Sequence, residues 1–485
     1  MLERLNRTAL AMLLGFLAVA VSLTYWGVFA SDGILARPDN VRRLEAERAI
    51  RRGTIYDRAG DVLAESVEAG RSPSGMPVMR REYPWLEAVS VVGYYNPIQG
   101  TGGAEAAYDL ELRGAARADA GTTLIDALIH RPIVGSDLRL TIDRDVQIDM
   151  ARAFERRSGA AVVIEASSGA IWGLLSAPGF DPAAPNLDWD ALRADPESPL
   201  LNRVTHGIYQ PGGALQTVIL AAMITHLPAL PDLAEDASAP VLVNGLTLTC
   251  ARDPDAPVAT IQQAYALGCP APFVEAALGQ PGPERVQALI EAFGLTQTPP
   301  LARFETAVGR PAPALAAIAP PGRQRAAAAG QGALTVTPLQ MALVASAIAN
   351  DGTAVAPYLA DAIRAPDASE WAALPSFGEP MAALTREAAE SLREAMREAV
   401  LEGAALPAAS AEVPPGALLH GHASIAYTGQ TANAWFIGFI TLPDGRAFAA
   451  AVVVEGTSDA GAAASVGGEI LASAAWQALE RESVP

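Results

Sequence analysis

An uncharged run of 22 residues, Ala9 to Ala30, most constrains how this chain can fold. A helix of that length crosses a hydrocarbon core of about 30 Å. Arg4 and Arg7 precede the run and Asp32 is the first charge after it, which predicts a cytoplasmic amino terminus and extracytoplasmic main domains. The alternative is a cleaved signal peptide, but the run exceeds the usual apolar stretch of about 7–15 residues. The sequence therefore favours a single-pass anchor in the cell membrane.

The composition excludes several classes of site. The chain has 485 residues, 51% of them hydrophobic, enough for a sizeable ordered core. A net charge of −19 argues against nucleic-acid binding, which needs concentrated positive charge. All 34 cationic residues are Arg, so any mechanism that needs a lysine amine is excluded. Two Cys and five scattered His do not build a Cys₄ or Cys₂His₂ zinc site, and we expect neither a metal nor a cofactor.

Regular alternation of strand and helix signals begins near residue 135. Paired apolar runs around short turns predict hairpins, and a capped amphipathic stretch predicts a helix between them. Strands at both ends with helices between them indicate one sheet flanked by helices, with a helical insertion. The predictions are hairpins Ala160–Ile164/Ala170–Leu175 and Ala434–Ile440/Ala447–Val454, helices Val41–Ile50, Thr385–Glu402 and Val466–Glu480, and surface loops Pro311–Pro321 and Leu406–Pro415.

Several further segments form an ordered set of motifs. They are Arg52–Ala64 (RGTIYDRAGDVLA), Gly93–Pro97, Gly100–Glu105, Leu140–Asp143, Ser176–Pro182, Gly330–Gly332, Thr335–Ala342, Ile348–Gly352 and Ala434–Phe439. Together they resemble the class B penicillin-binding proteins, membrane-anchored transpeptidases that cross-link bacterial peptidoglycan. The common order of the motifs carries the resemblance more than any single motif does.

The resemblance implies an α/β fold of the serine β-lactamase and D,D-transpeptidase type. This fold has a central sheet with helices on both faces and a helical insertion, preceded by a smaller pedestal domain and one transmembrane helix. We therefore expect a cytoplasmic stub at residues 1–8, a transmembrane helix at 9–30, a pedestal domain at 31–135 and a transpeptidase-like domain at 136–485.

The first active-site motif departs from the family pattern. The family uses a serine nucleophile and a lysine one helical turn later, so that both side chains share a helix face. Here Gly213 stands at the serine position and Gln216 at the lysine position. Glycine has no nucleophile, and an amide is not a base near neutral pH.

The second and third motifs depart as well. At the family's SxN motif, Gly268 replaces the serine and Pro270 replaces the asparagine, and proline has no N–H to donate. At the KTG motif, Thr428 and Gly429 remain but Tyr427 stands for the lysine. Tyrosine, with a pKa near 10, is neutral at pH 7 and offers no ammonium to a carboxylate. We therefore expect no catalytic residue among these seven matching positions.

Another side chain could supply a nucleophile. Thr217 follows Gln216, but one further helical residue turns it about 100° away. Cys269 would need an activating base, and His206 is the candidate only if the fold brings it close. Cys250 and Cys269 lie where disulfides persist, so a disulfide and two buried thiols both remain open.

Other groups suggest a metal or paired carboxylates. His420 and His422 are close in sequence, but without a third ligand in view a solvated loop is favoured over a metal site. Two carboxylate pairs are interpreted as charged turns rather than as a glycosidase site: Glu165 with Asp181, and Asp143 with Asp145.

Two classes of function follow from these residues. The first is a catalytically inactive scaffold or regulatory member of peptidoglycan assembly, with other cell-wall membrane proteins as partners and weak binding, at most, of stem peptide. The second is an active D,D-transpeptidase or other acyl-transfer enzyme that uses non-standard residues and binds penicillin. Lost chemistry within a retained framework favours the first. In that case we expect Tyr427 to narrow the old cleft, with its hydroxyl near Gln216 or a backbone carbonyl.

Overall fold

The structure is a computed structural model of the chain. It describes residues 2–25, 41–73, 75–117, 133–184, 187–231, 233, 236–307, 313–319, 321–375, 378–429 and 431–482. Residues 26–30 of the predicted membrane segment and residues 311, 312 and 320 of the predicted loop at 311–321 lie outside these ranges.

The first helix, α1, spans Leu2–Thr24. Its segment Arg7–Thr24 has the length and hydropathy needed to cross a membrane, and none of that segment is buried against the rest of the protein. Exposed apolar side chains along a whole helix are costly in water. The helix is therefore suited to membrane anchoring, while the orientation of the chain remains a prediction.

A six-stranded sheet follows, and it combines distant parts of the chain. In spatial order its strands are β13 (Ala372–Ala373), β12 (Ala360–Arg364), β6 (Asp137–Leu140), β1 (Ile55–Tyr56), β2 (Val62–Arg71) and β3 (Pro77–Glu82). Strand β6 pairs parallel with β1 and antiparallel with β12. The predicted boundary at residues 135–136 directly precedes β6 and stays a prediction. The elements of this region are α2 Val41–Ala49, β1 Ile55–Tyr56, β2 Val62–Arg71, β3 Pro77–Glu82, α3 Val89–Val92, β4 Tyr94–Asn96, β5 Gly100–Gly102, α4 Gly103–Ala107, α5 Asp109–Leu112 and β6 Asp137–Leu140, with β12 Ala360–Arg364 and β13 Ala372–Ala373.

A buried charge cluster joins the sheet to the short helices. Glu105 on α4 is fully buried and accepts hydrogen bonds from Arg52, whose Nε lies 2.9 Å away, and from Arg81 on β3. Arg52 also donates to Asp109, at 2.7 Å. Buried charges are tolerated only when each is paired, and here Glu105 and Asp109 together balance the two arginines. This explains Arg52, the first residue of the RGTIYDRAG motif.

We expect Glu105→Gln to lower the free energy of unfolding by about 3–5 kcal/mol, because buried Arg81 then has no carboxylate partner among the described residues and Arg52 keeps only Asp109. Glu82→Gln is the control, since the Arg80–Glu82 pair is exposed and such pairs contribute about 1 kcal/mol or less. Thermal unfolding of the full-length protein in detergent measures both. Equal destabilisation by the two changes would contradict the assigned role of the cluster.

The second sheet has five antiparallel strands. Their spatial order is β15 (Leu418–Thr428), β16 (Thr431–Thr441), β17 (Ala447–Val454), β7 (Gly159–Glu165) and β8 (Ile171–Ala177). Two separate strand pairs, β9 with β10 and β11 with β14, lie outside this sheet. The strands are β7 Gly159–Glu165, β8 Ile171–Ala177, β9 Val241–Val243, β10 Leu246–Leu248, β11 Thr353–Ala354, β14 Met381–Ala382, β15 Leu418–Thr428, β16 Thr431–Thr441 and β17 Ala447–Val454.

Helices cover both faces of this sheet, as predicted. Alternate residues of β7 enter different cores, because successive side chains of a strand point to opposite faces: Val162 packs in one core and Val163 in the other. The helices are α6 Arg144–Phe154, α7 Trp189–Ala194, α8 Arg203–His206, α9 Leu215–His226, α10 Ile261–Leu267, α11 Ala271–Leu278, α12 Pro283–Ala292, α13 Pro321–Ala328, α14 Pro338–Ala349, α15 Arg386–Leu401 and α16 Ala460–Glu482. α14 packs on one face of the sheet, whereas α6 and α16 pack on the other.

The predicted helix from Thr385 is confirmed, and two other predictions need correction. Thr385 caps α15 by accepting the backbone N–H of Ala388 at 3.3 Å. The last helix begins at Ala460, six residues before the predicted start, because small residues of this added turn pack closely: Ala463 is buried and a Cβ on Gly461 would lie 3.1 Å from Pro407. Residues 406–415 are also more than a surface loop, because a 3₁₀ turn there buries Ala408 beneath α16.

Candidate functional site

A narrow cleft lies where the start of α9, the α10–α11 junction and the end of β15 meet. Five of the seven positions singled out in the sequence line it: Gly213, Gln216, Gly268, Pro270 and Tyr427. The cleft has a volume of about 30 Å³, room for about two water molecules. Thr428 and Gly429 are exposed at the strand end beyond it.

Gly213 faces a serine that the sequence did not single out. It lies in the 3₁₀ turn Gly212–Ala214, which leads into α9 and packs on β15. A Cβ on Gly213 would lie 2.7 Å from the Cβ of Ser424 and 3.4 Å from its Oγ. Contacts under 3.0 Å do not occur without movement of one partner. Ser424 therefore occupies the space beside the position where the family carries its nucleophile.

Gln216 and Gln331 supply the neutral polar side chains of the cleft. Gln216 is buried, and its Nε2 donates a long hydrogen bond of 3.4 Å to the carbonyl of Gly268. Its Oε1 has no hydrogen-bond partner in the described part of the chain, and the same holds for Oε1 of Gln331. Gln331 belongs to the Gly330–Gly332 motif, but nothing in that motif indicates that its side chain lines the cleft.

The second-motif segment is held by backbone geometry and a disulfide. Gly268 ends α10 in the left-handed conformation with φ 67°, which glycine adopts readily. A Cβ there would also lie 2.8 Å from that of Ala251. Cys269 is bonded to Cys250, which resolves the two alternatives left by the sequence in favour of the disulfide. Cys269 is thus not a free thiol.

Tyr427 forms a half-buried wall of the cleft and packs against the core. The prediction that the Tyr427 hydroxyl bonds to Gln216 or to a backbone carbonyl is wrong, because among the described residues this hydroxyl has no such partner. The ring contributes by apolar packing instead. Beyond it, the Oγ1 atoms of Thr428 and Thr431 lie 2.7 Å apart and join the two strands at their turn.

The prediction of a solvated loop at His420 and His422 is also wrong, since both residues are buried on β15. His422 Nε2 lies 3.3 Å from the carbonyl oxygen of Gly213, and its ring stacks on Tyr265 at 4.3 Å. The Tyr265 hydroxyl in turn lies 2.9 Å from Thr217 Oγ1. These side chains fill the space behind Gly213, and burial lowers the pKa of His422 to about 4.

The remaining candidate residues lie elsewhere. Their contacts are His206 with Thr205 beside a separate open cavity, Glu165 with Ser168, Asp143 as the cap of α6, Asp145 with Arg144, and Asp181 with the backbone N–H of Ala183. None of these five is among the described residues that line the cleft.

We expect the protein to lose stability as pH falls from about 6.5 towards 4. The unfolded chain takes up a proton on His422 near pH 6.5, whereas the folded protein does so only near pH 4. The contribution is therefore complete above pH 6.5 and falls by at most about 3 kcal/mol by pH 4. His422→Gln should weaken the dependence and leave the part due to His420, whose pKa burial also lowers to about 4. His226→Gln, at an exposed position, should not weaken it. Denaturant unfolding at several pH values tests this, and identical curves for both variants would contradict it.

The chain matches known proteins over most of its length. Residues 159–474 match the penicillin binding protein transpeptidase domain. The chain is 30% identical to the peptidoglycan D,D-transpeptidase PbpA of Mycolicibacterium smegmatis, over 93% of this chain and 94% of that protein. Penicillin-binding protein A of M. tuberculosis, solved as a penicillin G acyl-enzyme complex, is 26% identical with a TM-score of 0.73, over 87% of this chain and 99% of that one. A D,D-transpeptidase domain from Eggerthella lenta is 26% identical with a TM-score of 0.74, over 90% and 99%.

The sequence matches and the structural matches agree with the ordered motifs and with the two-faced sheet. The matched domain also contains the whole cleft, since every residue that lines it lies between positions 159 and 474. This chain therefore belongs to the class B penicillin-binding proteins, the family of peptidoglycan transpeptidases.

Proposed function

We propose that this chain is a catalytically inactive member of the family that acts as a scaffold or regulator in peptidoglycan synthesis. The single observation that carries the proposal is the contact between Gly213 and Ser424. An acyl-transfer enzyme of this type needs a nucleophile at the start of the helix, and a Cβ there would already lie 2.7 Å from the Cβ of Ser424.

The electrostatics of the cleft support the same proposal. No charged side chain is among the described residues that line it, and no lysine occurs anywhere in the sequence. Activation of a hydroxyl requires a neighbouring base, and the Gln216 amide is not one. Tyr427, at the position of the KTG lysine, packs its ring against the core.

Each side chain that could replace the nucleophile is unsuited to acyl transfer for its own reason. Cys269 is fully buried in its disulfide with Cys250. Thr217 is fully buried and bonded to Tyr265. Ser424 is 1% exposed, and its Oγ has no base within hydrogen-bond distance among the described residues. An active enzyme with non-standard residues is therefore the weaker candidate.

We further propose that the protein works at the outer face of the cell membrane. The exposed apolar helix α1 supports anchoring, and Arg4 and Arg7 before the apolar run support a cytoplasmic amino terminus. Other membrane proteins of cell-wall synthesis are the partners that this role requires.

Purified full-length protein incubated with a fluorescent penicillin should carry no label that survives denaturation. The reason is that no serine stands at position 213 to form an acyl-enzyme. Penicillin-binding protein A of M. tuberculosis, which forms an acyl-enzyme with penicillin G, is the positive control on the same gel. A stoichiometric label on this chain, mapped to any residue, would overturn the proposed function.

Restoring the serine alone should fail. Gly213→Ser is expected to destabilise the protein by about 1–3 kcal/mol, since the new Cβ overlaps Ser424, and to remain unlabelled by penicillin. Ser424→Gly removes the overlapping atom, so the double variant should be less destabilised than the sum of the two single changes. Thermal unfolding of the four proteins gives this coupling. Additive effects would show that Ser424 does not occupy the nucleophile's space.

A further inference from the structure

We propose that the narrowed cleft is a binding site for an uncharged terminal carboxamide. Three buried polar atoms converge on this part of the molecule without a hydrogen-bond partner among the described residues: Oε1 of Gln216, Oε1 of Gln331 and Oγ of Ser424. Their residues are 5%, 7% and 1% exposed. Burying such groups unpaired is destabilising, so a partner that pairs them stabilises the folded protein.

The three groups belong to one location. Gln216 and Gln331 both line the cleft. Ser424 reaches it through Gly213: a Cβ on that glycine would lie 3.4 Å from Ser424 Oγ and 3.5 Å from Gln216 Nε2. Distinct elements supply them, α9 for Gln216, the segment after α13 for Gln331 and β15 for Ser424. Ser424 lies behind Gly213 and is not among the lining residues, so a ligand would touch Gln216 and Gln331 directly and approach Ser424 across Gly213.

The chemistry of the walls selects an amide over a carboxylate. No charged residue is among the described residues that line the cleft, and burying a carboxylate without a cation is costly. A primary carboxamide carries both donors and an acceptor. It can therefore donate to the glutamine oxygens and accept from the serine hydroxyl or a glutamine N–H. It also pairs with a glutamine side chain turned either way.

The size of the cleft limits the ligand to its terminal group. A volume of about 30 Å³ holds about two waters, which the three heavy atoms of a carboxamide would displace. Tyr427 is only half-buried, so the rest of the ligand can extend past its ring towards the exposed Thr428.

The inference rests on the proposed non-catalytic function, because in a catalytic member of the family the acyl group of the covalent intermediate would fill this space. The test uses full-length protein in detergent and two isosteric probes, propionamide and propionate, with binding measured by saturation-transfer NMR. For five non-hydrogen atoms we expect a propionamide Kd on the order of 1 mM. Propionate should bind at least about tenfold more weakly because of its charge.

Two variants and a control complete the test. Gln331→Met, close to isosteric, and Ser424→Ala should each weaken propionamide binding severalfold, while Gln262→Met, exposed on α10, should not. The mild Ser424→Ala change keeps the test valid if Gln331→Met does not fold. Equal binding of the two probes, or no propionamide binding by the wild-type protein, would overturn this inference. Penicillin labelling would instead overturn the proposed function, so the two failures are distinguishable.

Discussion

The close approach of three backbone segments at Gly212 is the contact on which the rest of the cleft depends. Gly212 has φ 52°, and a Cβ on it would lie 2.4 Å from the carbonyl oxygen of Ile425 on β15. Its N–H donates to the carbonyl of Gly330 at 3.0 Å, and a Cβ on Gly330 would lie 2.2 Å from the Gly212 oxygen. Because only glycine fits such contacts, the helix start is positioned whether or not a catalytic side chain follows it.

This arrangement separates the fold from the chemistry. The framework is built from backbone contacts and from the cores on both sides of the sheet, whereas catalysis in the family depends on a few side chains. Replacement of ionised groups by Gln216 and Tyr427 removes the cost of keeping charges out of water. The stacked pair of His422 and Tyr265 then fills the space behind Gly213. The backbone around the cleft can therefore be retained when the charged side chains are replaced.

Local signals predicted well those elements whose causes are local. The helix from Thr385 has its cap, its apolar face and Gly403 after its end within one stretch of sequence. The two hairpins each combine apolar runs with a turn. The ordered motifs likewise identified the five positions that line the cleft, because backbone spacing is shared within the family.

The errors concern side chains whose neighbours are distant in sequence. His420 and His422, without a third ligand in view, predict a solvated loop, yet the His420 ring stacks on Phe439 of the adjacent strand at 4.5 Å. Ser424 and Gln331 carry no local mark of their contact with the cleft. The early start of α16 depends on its packing against the 3₁₀ turn at residues 406–410, which only the fold brings near.

The six-stranded sheet has a consequence for the order in which the protein is made. Its strands β1 and β6 leave the ribosome early, but β12, which pairs with β6, is far behind: Asp137 and Arg364, paired at 2.8 Å, are 227 positions apart. At about 5–20 residues per second, the edge of β6 waits for tens of seconds or less before its neighbour exists. Until then this open strand edge needs protection from pairing with another molecule.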